Sequence, residues 1–134
     1  MKRLSYFIFA FSFLLFLISL FGFFLSKPIM TKTFYTSANV SDNIGFDLNS
    51  NALTFGHIKK PGSSTRNIVL DNHYSFPIVA VIKAEGDIEP LLHFDNIVSV
   101  EEGESKKISF SVIASEDMEE GFYSGNVRFE LFKL

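Results

Sequence analysis

The chain has no cysteine and no tryptophan, and only three histidines and four prolines among its 134 residues. Without cysteine there is no disulfide framework, so an apolar core has to supply the stability of whatever folds. The absence of tryptophan removes the commonest platform for stacking a sugar. A basic excess is missing as well. Once Lys2 and Arg3 are set aside, 10 basic residues face 15 acidic ones, a net charge of −5 for residues 27–134. That balance excludes a nucleic-acid partner, which needs a basic stripe, and argues against electrostatic binding to anionic lipid.

What the chain does have is a long uncharged run at its start, "LSYFIFAFSFLLFLISLFGFFL", from Leu4 to Leu25. As a helix it would rise about 33 Å, close to the hydrocarbon thickness of a bilayer. It is longer than the apolar stretch of a cleaved signal peptide, and Phe24 is a poor fit to a small-x-small cleavage site near Ser26. A run apolar on every side is also a poor core helix, having no face to show water. The reading is a signal-anchor helix over about 4–25 within an N-terminal anchor segment, 1–26. Cleavage of that segment remains the alternative. Lys2 and Arg3 place the N-terminus in the cytoplasm, and the body of the chain is expected outside as the C-terminal domain of a single-pass protein.

Beyond Leu25 no helical period persists. "KPIMTKT" (27–33) reads as a short linker, and 34–134 as one β domain. Short apolar runs recur with turn residues between them, which predicts an all-β fold of about seven antiparallel strands. "TKTFYTSANV" (32–40) is β-branched and aromatic, and "ALTFG" (52–56) leads to the Pro61-Gly62 turn. "TRNIVLDN" (65–72) ends at Asn72, and "FPIVAVIKAEG" (76–86) suggests a central strand covered on both sides or one carrying a bulge. "LLHFDNIVSV" (91–100) switches parity at Asp95-Asn96, the mark of a kink or two short strands. "KKISFSVIA" alternates with Ile108, Phe110, Val112 and Ala114 inward, and "FYSGNVRFELFKL" with Tyr123, Gly125, Val127, Phe129 and Leu131 on one face.

The positions Leu53, Phe55, Gly56, Pro61, Gly62, Leu70, Asn72, Pro77, Gly103, Glu104, Gly121, Tyr123 and Gly125 carry a resemblance. Their pattern is similar to immunoglobulin-like β-sandwich domains of the abnormal-spindle/hydin, major-sperm-protein and pilus-chaperone-like kind. The layout also looks like that of small single-pass archaeal membrane proteins. The resemblance covers about 80 to 90 residues and implies an immunoglobulin-like sandwich, a scaffold that hosts many functions. "EEGFYSG" is similar to the Asp-x-Gly-x-Tyr-x-Cys run of antibody-type domains, with Gly125 in place of the cysteine. A tyrosine corner at Tyr123 is what that implies. Read physically, Gly56, Gly62 and Gly103 suit turns with positive φ, Asn72 suits a strand end, and Pro77 suits a strand start or edge.

No catalytic, cofactor or metal constellation emerges. His57, His73 and His93 share no short ligand spacing, and the acidic turns lack the alternating oxygen pattern of a calcium loop. The serines have no nucleophile elbow around them. Asn39-Val40-Ser41 is a candidate glycosylation sequon. These readings point to a non-enzymatic, membrane-anchored extracytoplasmic module that binds another envelope or membrane protein. Two alternatives stay open. One is a self-assembling surface or pilus-like subunit that donates strand 32–40 to a neighbour. The other is a tethered glycan-binding module using Tyr35, Tyr74 and Tyr123.

Overall fold

The computed structural model describes residues 2–41 and 52–134. Helix α1 runs from Lys2 to Leu25. From Leu4 onward no proline or charge interrupts it, and it stops where Pro28 cannot continue a helical ladder. The Ser26 hydroxyl donates to the Phe23 carbonyl at 3.0 Å in the last turn. From Tyr6 to Phe24 its side chains are exposed on every side, and the helix is long and apolar enough to cross a membrane. Those two features alone also fit a signal sequence.

Eight strands follow, in chain order β1 (Met30–Ser41), β2 (Leu53–Lys59), β3 (Gly62–Asp71), β4 (Ile78–Gly86), β5 (Leu92–His93), β6 (Ile97–Val100), β7 (Ser105–Ala114) and β8 (Gly121–Lys133). They form two sheets, one ordered β2-β1-β8-β4-β6 and the other β3-β7-β5. β1 takes in the last residues of the stretch read as a linker. The run 91–100 resolves into β5 and β6, which belong to different sheets.

Two expectations are corrected. The sheet is not wholly antiparallel, because β1 and β2 pair in parallel from Thr36↔Leu53 to Ser41↔Lys59. Parallel neighbours cannot be joined by a tight turn and need a longer connection between them. Nor is β4 covered on both faces. Ile78, Ala80 and Ile82 are buried, but Val79 and Val81 are only half-buried. The strand is nonetheless central, lying between β8 and β6.

Between the sheets lies one core. Alternation along β7 and β8 sends Ile108, Phe110, Val112, Val127, Phe129 and Leu131 inward, all buried. A row of rings crosses it: Phe34 to Phe129 at 5.5 Å, Phe129 to Phe110 at 6.0 Å, and Phe110 to Phe94 at 5.3 Å. Fully burying an apolar side chain of this size contributes about 1.5–3 kcal/mol. That core meets the demand created by the missing cysteines.

One close approach depends on glycine. Gly86, at φ 103°, pairs with Gly125. A Cβ on Gly125 would run into the Glu85 carbonyl and sit 3.1 Å from the Ile88 side chain.

Candidate functional site

The two sheets are joined at one side by the tight β2–β3 connection, whose Lys60-Pro61 peptide is cis. There the side chains of β3 close onto β2. The Ser64 hydroxyl donates to the Phe55 carbonyl at 3.1 Å, and Arg66 Nε to the Thr54 carbonyl at 2.9 Å. The closure covers only half the length of the domain. β2 begins opposite Thr36, so from Met30 to Tyr35 the edge of β1 away from β8 has no strand beside it among the described residues. β3 pairs only with β7, and past Arg66 its other edge is equally free of a strand among the described residues.

Between these two edges opens a groove of about 350 Å³. Met30, Lys32 and Phe34 line it from β1, residues Ile68 to Asp71 from β3, and Phe129 and Leu131 from β8. His73 and Tyr74 close one end. Its surface is mostly apolar, with Lys32, Asp71 and His73 as the polar points. The Lys32 ammonium lies 4.9 Å over the Phe34 ring. A long strip of unpaired backbone over an apolar floor is suited to receive an extended segment.

Asn72 holds the closed end of the groove in place. It is fully buried. Its amide donates to the carbonyls of Phe76 at 2.9 Å, Glu101 at 3.0 Å and Val100 at 3.2 Å, while its Oδ1 accepts from the Tyr74 N–H at 3.0 Å. The Asn72 N–H donates to Glu104 at 2.9 Å. One side chain thus ties the β3–β4 loop to the β6–β7 turn, a wider role than the local turn expected of it.

The other singled-out residues are structural in placement. Gly56 (φ 68°) lies inside β2 and Gly103 (φ 72°) in the β6–β7 turn. Gly62 has no positive φ. Its requirement is room, since a Cβ there would meet the Lys59 carbonyl. Pro77 precedes β4 and accepts from the Leu134 N–H at 3.0 Å. Gly121 opens β8 with open space around it. The Tyr123 hydroxyl donates to the Glu119 carbonyl at 2.9 Å, four residues upstream, which is tyrosine-corner geometry. Asn39 is half-buried on β1, between β2 and β8.

The three tyrosines do not converge. Tyr35 pairs with Asn126 on the outer face of its sheet, Tyr123 packs toward the core, and Tyr74 stacks on Phe76 at the other end of the domain. His57, His73 and His93 lie on β2, the β3–β4 loop and β5. Among the described residues no group of three histidine, cysteine or carboxylate side chains is placed to hold a metal. Opposite the groove, Lys60 anchors the acidic 115–120 loop, donating to the Met118 carbonyl at 2.9 Å and lying 3.5 Å from Glu120. Asp117 in that loop titrates below its ordinary value because the Ser115 side chain hydrogen-bonds its carboxylate.

The groove has no signature in the sequence, because it comes from the offset between β1 and β2. No protein-family model, no curated protein and no solved structure matches the chain.

Proposed function

We propose that the chain is a non-enzymatic binding module of the cell envelope, held by α1 in a membrane with its N-terminus cytoplasmic and its β domain outside. There it contacts another envelope or membrane protein. The fold is read as an immunoglobulin-like sandwich, which the two sheets around one core and the Tyr123 corner support. The observation that carries the functional reading is the open groove between β1 and β3. An extended, apolar segment of the partner would lie along β1 from Met30 to Tyr35, add main-chain hydrogen bonds to the sheet, and seat alternate side chains against Phe34, Ile68, Leu70 and Leu131. The anchor brings the groove to partners that share the membrane.

Home pairing of β1 supports this reading over strand donation. The strand matches β8 from Met30↔Leu131 to Val40↔Gly121 and β2 along its second half. Donating it would break both ladders. The glycan reading has less support, since its tyrosines are scattered.

The test is crosslinking of the full-length protein in its native membranes, then capture and mass spectrometry, with wild type beside Val69→Glu. Val69 is an exposed groove residue, so a charge there blocks strand addition without opening the core. One dominant envelope protein, lost in Val69→Glu, is the expected result. Self-links alone, above all through Lys32, would put self-assembly in its place. No protein link at all would turn attention to glycans.

A further inference from the structure

We infer that the end of the β domain nearest the tether is a membrane-contacting surface, its apolar and aromatic rim seated in the headgroup layer of the bilayer that holds α1. This rests on α1 being a retained anchor.

Geometry gives the proximity. Only Ser26 to Ile29 separate α1 from β1, a reach of at most about 14 Å. Ile29 is already drawn in, its N–H donating to the Leu131 carbonyl at 2.7 Å. The domain therefore has almost no slack to stand away from the lipid.

Side chains at that end match the setting. Ile29, Met30 and Leu134 are 44%, 47% and 63% exposed, large apolar groups gathered where β1 begins beside the last residues of β8. Tyr74, stacked on Phe76 with ring centroids 5.2 Å apart, offers an apolar body and a hydroxyl. The Lys133 ammonium lies 4.7 Å over the Phe76 ring, and that of Lys27 lies 5.1 Å over both Phe23 and Phe24. Aromatic rings with basic side chains laid along them are the chemistry of a bilayer interface. The far end instead carries Glu116, Asp117, Glu119 and Glu120.

Acid is present at the near end too, in Glu101, Glu102 and Glu104 on the β6–β7 turn, which is joined to the rim by the bond from the Asn72 N–H to the Glu104 main-chain carbonyl. These charges offset Lys27, Lys32 and Lys133. The contact is thus one of apolar insertion and needs no anionic lipid.

The full chain, being free of cysteine, takes single nitroxide labels after Tyr74→Cys, Leu134→Cys, Glu116→Cys and Phe16→Cys. Leu134 lies past the end of β8 and is exposed, so its label leaves the fold intact even if one at Tyr74 disturbs the loop. In phosphatidylcholine vesicles, collision with oxygen and with a water-soluble nickel chelate reads the depth of each label. Shielding from nickel at positions 74 and 134 but not at 116, unchanged by added salt, is the expected result. Labels at 74 and 134 as open to nickel as the one at 116, with 16 buried in lipid, would overturn the inference. Nickel access at 16 would instead remove the anchor on which it rests.

Discussion

Replacing Asn72 by alanine removes a buried amide whose two N–H groups are shared among three carbonyls and whose oxygen accepts one more bond, and the consequence follows from where those contacts lie. The amide serves three carbonyls and its oxygen accepts the Tyr74 N–H. Each such bond is worth about 1 kcal/mol net, and leaving its partner buried without a substitute costs about 1–3 kcal/mol. Only the bond to Val100 is fully buried, so water replaces part of the rest. The estimate is a loss of about 2–4 kcal/mol, a large share of the roughly 5–15 kcal/mol typical of a domain. In urea, with a mid-range slope of about 2 kcal/mol/M, the midpoint falls by about 1–2 M. Unfolding of the full chain in mild detergent, followed by circular dichroism, reads the shift.

Asn72→Asp sharpens the test. A carboxylate would face three carbonyl oxygens, so its folded pKa rises above the unfolded value. The stability of that variant is then greatest below about pH 4 and falls as pH rises through the folded pKa. A midpoint shift equivalent to under about 0.5 kcal/mol for alanine, with aspartate equally tolerated at neutral pH, would refute the role assigned to this side chain.

Further outcomes follow from other contacts. Gly125→Ala drives a Cβ into the Glu85 carbonyl and should cost about 2–4 kcal/mol in the same unfolding assay. Lys83→Ala removes the 2.9 Å ion pair to Glu130 on a half-exposed side chain and should cost less than about 1 kcal/mol, shrinking further in salt. Ser115→Ala should raise the Asp117 pKa toward its ordinary value, read by an NMR titration of the carboxyl. The native bond favours the charged form, so its contribution is present above the unfolded pKa and disappears as pH falls through the lowered one.

The parts legible in the sequence are those where one residue decides one face. Phe110 and Val112 in β7, and Val127 and Phe129 in β8, announce their burial by strict alternation. The parity switch at Asp95-Asn96 likewise marks the change of sheet between β5 and β6. Relations between distant strands are not written that way. The parallel pairing of β1 with β2 and the start of β2 opposite Thr36 are matters of register between separate strands, and the groove is a product of that offset. Gly86 carried no signal because the backbone that leaves no room for a Cβ there, at Ser124 and Gly125, lies across the sheet. Asn72 read as a strand-end residue, since its partners near Val100 and Glu101 are remote in sequence.

The most direct test of the groove as the binding surface is photocrosslinking from single sites of the full-length protein in native membranes. Probes belong at Val69 in the groove, at Ile97 on the exposed face of β6, and at Glu116 at the far end. One envelope protein captured from position 69, and from neither 97 nor 116, is the predicted result. Capture of that protein from 97 or 116 with none from 69 would contradict it.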